Sequence, residues 1–263
     1  LAFAATYSQI QNSGEFPTQS VIAPFNINPQ IIMWDPATYP DVKTIADLKA
    51  TGAKVRYFGG TAYMDYFTST GILDQAQVDG SYDGTPANFV ADGGKSAQQG
   101  FATSEPYFYE NVLTDWGKPV AYQTIHDAGW TSYAQTLAAK PETIVSAADC
   151  LKLLVPIIQQ AQVDYVADPS TTNALILDLV AQYNNGWMYD AGQADAAVAL
   201  ALENGLIANS PDGTLGSFDS QRMDEFLALA IPIFEGLGEK LKPGLTSADL
   251  ATNQFIDPTI ALP

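Results

Sequence analysis

Between residues 55 and 109 the chain states one local pattern three times: a short run of β-formers, a glycine or turn break, and a helix start. Val55-Arg56-Tyr57-Phe58 is followed by Gly59-Gly60-Thr61 and then by Ala62-Tyr63-Met64-Asp65-Tyr66-Phe67. Val78-Asp79-Gly80-Ser81-Tyr82 breaks at Asp83-Gly84, and Thr85-Pro86 opens a helix that runs to about Asp92, with proline at the favoured first position. Gln98-Gln99-Gly100-Phe101-Ala102 leads into Thr103-Ser104-Glu105-Pro106, which caps a helix through Tyr107-Phe108-Tyr109. Strands and helices alternating in this way require parallel strands joined by right-handed crossovers, an α/β architecture. The paired glycines permit a tight turn and a close approach of backbone to ligand, and Thr61 suits an N-cap. A helix that starts there presents unpaired N–H groups and the positive end of its dipole to a carboxylate, sulfonate, phosphate or polarised carbonyl. Ligands of open α/β sheets sit at the C-terminal ends of the strands. That rule selects Gly60, Thr61, Ala62, Tyr63, Glu105 and Tyr107 as candidate ligand contacts. Glu105 is expected to cap its helix or to accept a hydrogen bond from an amine or hydroxyl.

The remaining chain supplies enough apolar sequence for a large core. With 263 residues it can bury about 70–75% of its unfolded surface, as one large domain or two lobes. Residues 20–25 and 30–34 are apolar runs suited to buried strands, and residues 120–125 form another. Residues 1–5 read as a further buried strand, capped by Thr6 before a helix. Residues 148–166, 171–183, 191–204 and 219–235 read as helices. The first carries Pro156, which predicts a kink. The second ends at Asn184-Asn185-Gly186, and the last has Met223, Phe226, Leu227, Ala230, Ile233 and Phe234 on one stripe. Tyr7, Trp34, Tyr63, Tyr107 and Trp130 fall near loops at strand ends, where aromatic walls suit a small flat or heteroaromatic ligand.

Charge and rare residues exclude several function classes. The 29 acidic residues against 11 basic ones leave a net charge of −18, which argues against nucleic acid or an anionic membrane as partner. Cys150 is the one cysteine, so the chain forms no internal disulfide, and it is expected to be a buried structural thiol. His126 is the one histidine, and no G-x-S-x-G occurs, so nucleophilic catalysis and a His/Cys zinc site are both poorly supplied. Gly94-Lys95-Ser96 imitates the end of a P-loop, but Phe89 stands where its first glycine belongs. Asp79-Gly80-Ser81-Tyr82-Asp83-Gly84 imitates the start of a calcium loop, but Val90 stands where the bidentate ligand belongs. No cofactor or metal is expected.

Two segments carry a family resemblance. Val42-Lys43-Thr44-Ile45-Ala46-Asp47-Leu48-Lys49, continuing through Lys54-Val55-Arg56 to Thr61-Ala62-Tyr63, resembles the entry to the second lobe of type II periplasmic solute-binding proteins. Gly100-Phe101-Ala102-Thr103-Ser104-Glu105-Pro106-Tyr107 resembles a later element of the same family. The branch is that of the nitrate, sulfonate, taurine and thiamin-precursor receptors, and the resemblance covers most of the chain from about Val21 onward. It implies two α/β lobes, each a mostly parallel sheet flanked by helices, with hinge strands between them. Residues 1–40 and 120–263 would form lobe 1 and residues 41–119 lobe 2, with residues 120–125 returning to lobe 1. It implies a small organic ligand held in a cleft between the lobes, with Thr6 and Tyr7 on the wall opposite Gly60–Tyr63, and Trp34 and Trp130 near it. It implies an ABC-transporter permease as partner, a monomer, an extracytoplasmic location, and a lipid-anchored precursor whose N-terminal part precedes Leu1. The alternatives are an enzyme on the same fold, similar to the pyrimidine-precursor synthases that use pyridoxal phosphate, and the sensing domain of a receptor.

Overall fold

The computed structural model describes residues 1–184, 186 and 188–263, so Asn185 of the expected helix stop lies outside the described residues. The chain divides into two compact units. One gathers residues 1–28, 131–188 and 202–263, the other residues 29–130 and 189–201. Among the described residues eight strands, β1 to β8 in chain order, form two sheets flanked by helices, a mixed α/β architecture.

The first unit holds β1 (Ala2–Ala4), β2 (Gln19–Ile22) and β8 (Thr136–Ala139), ordered β1-β8-β2. Both pairings are antiparallel, where a mostly parallel sheet was expected. β1 and β2 do run the same way, linked through the helix Thr6–Gln11 as a crossover requires, but β8 inserts between them from the opposite direction. β1 is therefore an edge strand, and Phe3 is 71% exposed rather than buried. β2 supplies Val21 and Ile22 to a core completed by Ile144, Leu151, Val155 and Phe255. Leu151, Val155 and Gln159 recur every four residues, so they share the inner face of the helix Ala148–Ala167, which contains Pro156. Gln159 is fully buried and fully used: its amide nitrogen donates to the carbonyls of Leu215 (2.8 Å) and Asp257 (3.2 Å), and its oxygen accepts from Asp257 N–H (2.9 Å). Asp219 caps the helix Ser220–Gly236 by accepting from the Gln221 amide, and the predicted stripe is buried at Met223, Phe226, Leu227, Ala230 and Phe234. The helix Ser170–Tyr183 stops where predicted, with Asn184 in the left-handed region. Cys150 is exposed, against the expectation of a buried thiol, because it sits on the outer side of its helix.

The second unit holds β3 (Gln30–Trp34), β4 (Val55–Arg56), β5 (Val78–Asp79), β6 (Ala97–Phe101) and β7 (Ala121–Thr124), ordered β5-β4-β6-β3-β7. β5, β4 and β6 are parallel, as the repeated pattern predicts. β3 is antiparallel to both β6 and β7. This places β3 and β7 in the second unit, which starts at residue 29 rather than 41 and runs to 130 rather than 119. The reason lies in β3 itself: Ile31, Ile32 and Met33 are 0% exposed and Trp34 1%, so both faces are covered. An apolar run without alternation needs a central position, and β3 finds it between β6 and β7. In the segment after β6 the α-helix is only Glu105–Tyr107, continued by a π-helical turn at Phe108–Val112.

Among the described residues no helix is long and apolar enough to cross a membrane.

Candidate functional site

The end of β4 is shaped by two glycines that are needed for different reasons. Gly59 lies against the backbone of Gly80, and a Cβ on it would sit 3.0 Å from the Gly80 carbonyl oxygen. Gly60 has open space around it but a φ of +85°, which side-chain-bearing residues rarely adopt. The contact of Gly59 with Gly80 is sealed by the Gly59 N–H donating to the Gly80 carbonyl at 3.2 Å. Both Gly59 and Gly60 are exposed. The chain then enters the helix Ala62–Ser69 through Thr61.

That helix start is uncapped from within. The Thr61 side chain makes no capping hydrogen bond, and its Oγ1 is buried with no hydrogen-bond partner among the described residues. The amides of Gly60, Thr61 and Ala62 likewise find no backbone acceptor among the described residues. A buried hydroxyl is rarely left in this state, and it lies beside the free amides of a helix N-terminus, of which Gly60 is exposed.

Gln99 fixes this loop to the neighbouring strand. The residue is 1% exposed on β6, and its Oε1 accepts from both the Phe58 N–H (3.1 Å) and the Tyr63 hydroxyl (2.6 Å). One carboxamide oxygen therefore spans the turn, on the strand side at Phe58 and on the helix side at Tyr63. Sequence reading places Gln99 in a strand and misses this role. The signal it carried was a polar side chain inside a strand that the sheet order makes central.

Glu105 folds back onto the end of β6. Its Oε2 accepts from the Phe101 N–H at 2.7 Å, and its side chain occupies the space where Gly100 lacks one, since a Cβ there would lie 2.9 Å from Glu105 Cγ. Burial raises the carboxyl above the usual range, against the lowering pull of the Phe101 N–H. The phenols of Tyr82 and Tyr109 are raised too, by burial first and in part by the charge on Glu105. Gln98, 0% exposed and two residues before Gly100 on the same strand face, donates to the Tyr109 hydroxyl at 2.9 Å. Its Oε1 is buried and unpartnered among the described residues. Asp65, in the first turn of Ala62–Ser69, also has its carboxyl raised by burial.

The other candidates are placed as follows. Tyr63 is 2% exposed and its ring packs edge-on against Phe67 at 5.7 Å, so it contributes to the loop's support more than to an open wall. Tyr107 is half-buried with its hydroxyl against Gly192, where a Cβ would meet it at 2.0 Å. Trp34 and Trp130 are each 1% exposed, inside the core of the second unit instead of at a strand-end loop. Trp130 stacks near Tyr66 with ring centroids 5.7 Å apart. In the first unit, Thr6 is 0% exposed and its hydroxyl accepts from the Tyr133 N–H at 2.9 Å, tying the helix start to the segment before β8. Tyr7 turns the other way. It lines an open cavity of about 490 Å³ with Phe3, Gln9, Asn12, Phe16 and Gln135. Among the described residues no group of three or more His, Cys, Asp or Glu side chains is placed to hold a metal ion.

Neither a family model nor a curated protein sequence matches the chain. Its fold is similar to that of a solved protein from Bordetella bronchiseptica RB50, with a TM-score of 0.58 and 14% identity over 95% of this chain and 77% of that one. A conserved Candida albicans gene product, described as defining a new family of proteins exhibiting the generic periplasmic binding protein structural fold, superposes with a TM-score of 0.49 and 13% identity, covering 97% of this chain and 80% of that chain.

Proposed function

We propose that the chain is an extracytoplasmic solute-binding protein of an ABC importer, a monomer that captures a small organic molecule and delivers it to a permease. The observation that carries this reading is the helix start at residues 60–62, where among the described residues three amides find no backbone acceptor and the buried Thr61 hydroxyl has no partner. Such a set meets an acceptor group of a solute: a sulfonate, a carboxylate, or the ring nitrogen or carbonyl of a pyrimidine. The glycine turn itself is exposed at Gly60, and Gln99 braces the segments on either side of it before the solute arrives. The sequence resemblance to the nitrate, sulfonate, taurine and thiamin-precursor receptors supports the same role and the same end of β4.

The test is Thr61→Val, assayed by calorimetry and thermal shift over a panel of sulfonates, pyrimidines, aromatic acids and amines. The substitution keeps the side-chain shape and removes a hydroxyl that has no partner among the described residues. The unliganded protein should therefore melt at the same temperature or slightly higher, since an unsatisfied buried polar group costs about 1–3 kcal/mol. The best-binding member of the panel should lose at least tenfold in affinity, the scale of one lost hydrogen bond to a polar or charged group. Undiminished affinity, or no binding by any panel member to the unaltered protein, would refute the proposal.

A further inference from the structure

We infer that Arg222 clamps the connections between the two units, gripping with one guanidinium the stretches where the chain leaves and re-enters the first unit. The chain crosses between the units four times, after residues 28, 130, 188 and 201. Arg222 sits in the first turn of the helix Ser220–Gly236, whose start is capped by Asp219 and whose inner stripe is buried. Its Nε donates to the Thr131 carbonyl at 2.8 Å, Nη1 donates to the Asn26 carbonyl, and Nη2 stands 3.5 Å from the Ser132 carbonyl. Asn26 lies two residues before the first crossing, and Thr131 and Ser132 are the first two residues after the second. The Asn26 N–H donates to the Leu206 carbonyl at 2.7 Å, which adds the stretch that follows the fourth crossing. Three of the four crossings are thus gathered at one side chain, and every group that gathers them belongs to the first unit.

The clamp is itself braced. The guanidinium carbon lies 3.8 Å from the centre of the Tyr133 ring, and the Tyr133 hydroxyl accepts from the Asp219 N–H at 2.9 Å. Tyr133 also exchanges main-chain bonds with Thr6: its N–H donates to the Thr6 hydroxyl at 2.9 Å, and its carbonyl accepts from the Thr6 N–H at 3.0 Å. A planar fork of five donors can serve carbonyls on separate segments while its face stacks on a ring, and an ammonium cannot. The other arginine of the chain, Arg56, takes the carboxylate of Asp92; Arg222 is turned to main-chain carbonyls instead. The clamp therefore sets where these connections bend: past Asn26 on the way out of the first unit and before Thr131 on the way back. It acts with or without a bound solute.

The experiment follows amide hydrogen exchange by mass spectrometry on the full chain, unaltered and as Arg222→Lys and Arg222→Gln. Arg222→Lys keeps the charge and the aliphatic stem, and a native circular dichroism spectrum checks that each variant folds. The expected result is exchange about tenfold faster in peptides covering residues 24–28, 131–134 and 204–208, the scale of one lost bond from a charged donor. Peptides from the later turns of the helix Ser220–Gly236 and from β4 and β6 should keep their native rates. A third variant, Arg222→Ala, should show the same local acceleration, and 10 mM methylguanidinium should reverse it where 10 mM ethylammonium does not. A merely structural arginine would instead speed exchange throughout the first unit by one common factor, following the lost stability. That uniform response, unchanged exchange in the three segments, full retention of slow exchange by Arg222→Lys, or equal rescue by both cations overturns the clamp. None of these outcomes touches the solute-binding reading, which is tested separately at Thr61.

Discussion

Replacing Gln99 by Leu tests whether one side chain holds the candidate site in shape. The substitution is close to isosteric, so it opens little cavity, but it deletes the oxygen that accepts from Tyr63 and Phe58. Tyr63 is 2% exposed, so its hydroxyl loses this acceptor where water does not readily replace it, at about 1–3 kcal/mol. Phe58 is 39% exposed, so water can reach its amide and the loss there is nearer 0.5 kcal/mol, the low end for one hydrogen bond. The sum is about 1.5–3.5 kcal/mol, which for a chain of this size lowers the melting temperature by roughly 6 °C. A double-mutant cycle with Tyr63→Phe sharpens the test. In the native background Tyr63→Phe should cost about 1 kcal/mol, because it breaks the bond to Gln99. In the Gln99→Leu background the same change should cost clearly less, because the bond to Gln99 is already gone. Urea unfolding followed by circular dichroism measures all four corners. Should Tyr63→Phe cost the same in both backgrounds, the 2.6 Å contact carries no energy and Gln99 does not brace the turn.

Two other perturbations follow from the same geometry. Glu105 has a folded-state pKa above its unfolded value, so the folded protein binds the extra proton between the two; stability is greatest at or below the unfolded pKa and falls as pH rises through the folded one. Glu105→Gln should therefore raise the melting temperature at neutral pH and flatten its pH dependence just above the ordinary glutamate range; an unaltered profile would show the carboxylate to be well solvated. Gly129→Ala combines a φ of +102° with a Cβ 2.3 Å from the Tyr66 hydroxyl, and should cost about 2–3 kcal/mol by urea unfolding. Combining it with Tyr66→Phe should recover about 1 kcal/mol of that, and no recovery would mean the hydroxyl is not what the new methyl meets.

The glycine turn, the helix after it and the parallel order of β4, β5 and β6 were all legible in the sequence, because each depends on residues close together in the chain. Gly60 announces a positive φ, and Thr61 a helix start, without knowledge of any distant contact. The stripe on Ser220–Gly236 was legible for the same reason, through its period. What sequence alone misplaced depends on partners far away. The run in β3 signals burial on both faces but not which sheet will cover it, so β3 and β7 were assigned to the wrong unit. Trp34 and Trp130 sit near strand ends by number, and only the packing of the second unit shows that both rings are core. Thr6 and Tyr7 look alike as loop residues, yet one is consumed by Tyr133 and the other lines a cavity. Glu105 was singled out for its position, but its fold back onto the Phe101 N–H could not be read from spacing.

The second unit is drawn from two separated stretches, residues 29–130 and 189–201. A protease nick or gene split anywhere along the intervening residues would leave neither fragment with a whole unit. Deleting the C-terminal portion from residue 189 onward would strip the helix residue whose missing side chain makes room for the Tyr107 hydroxyl. Anyone wishing to study the Gly60–Ala62 turn in isolation would have to tether those thirteen distant residues back by a designed linker, and the recovery of folding on doing so would report how much of the sheet's stability that borrowed helix supplies.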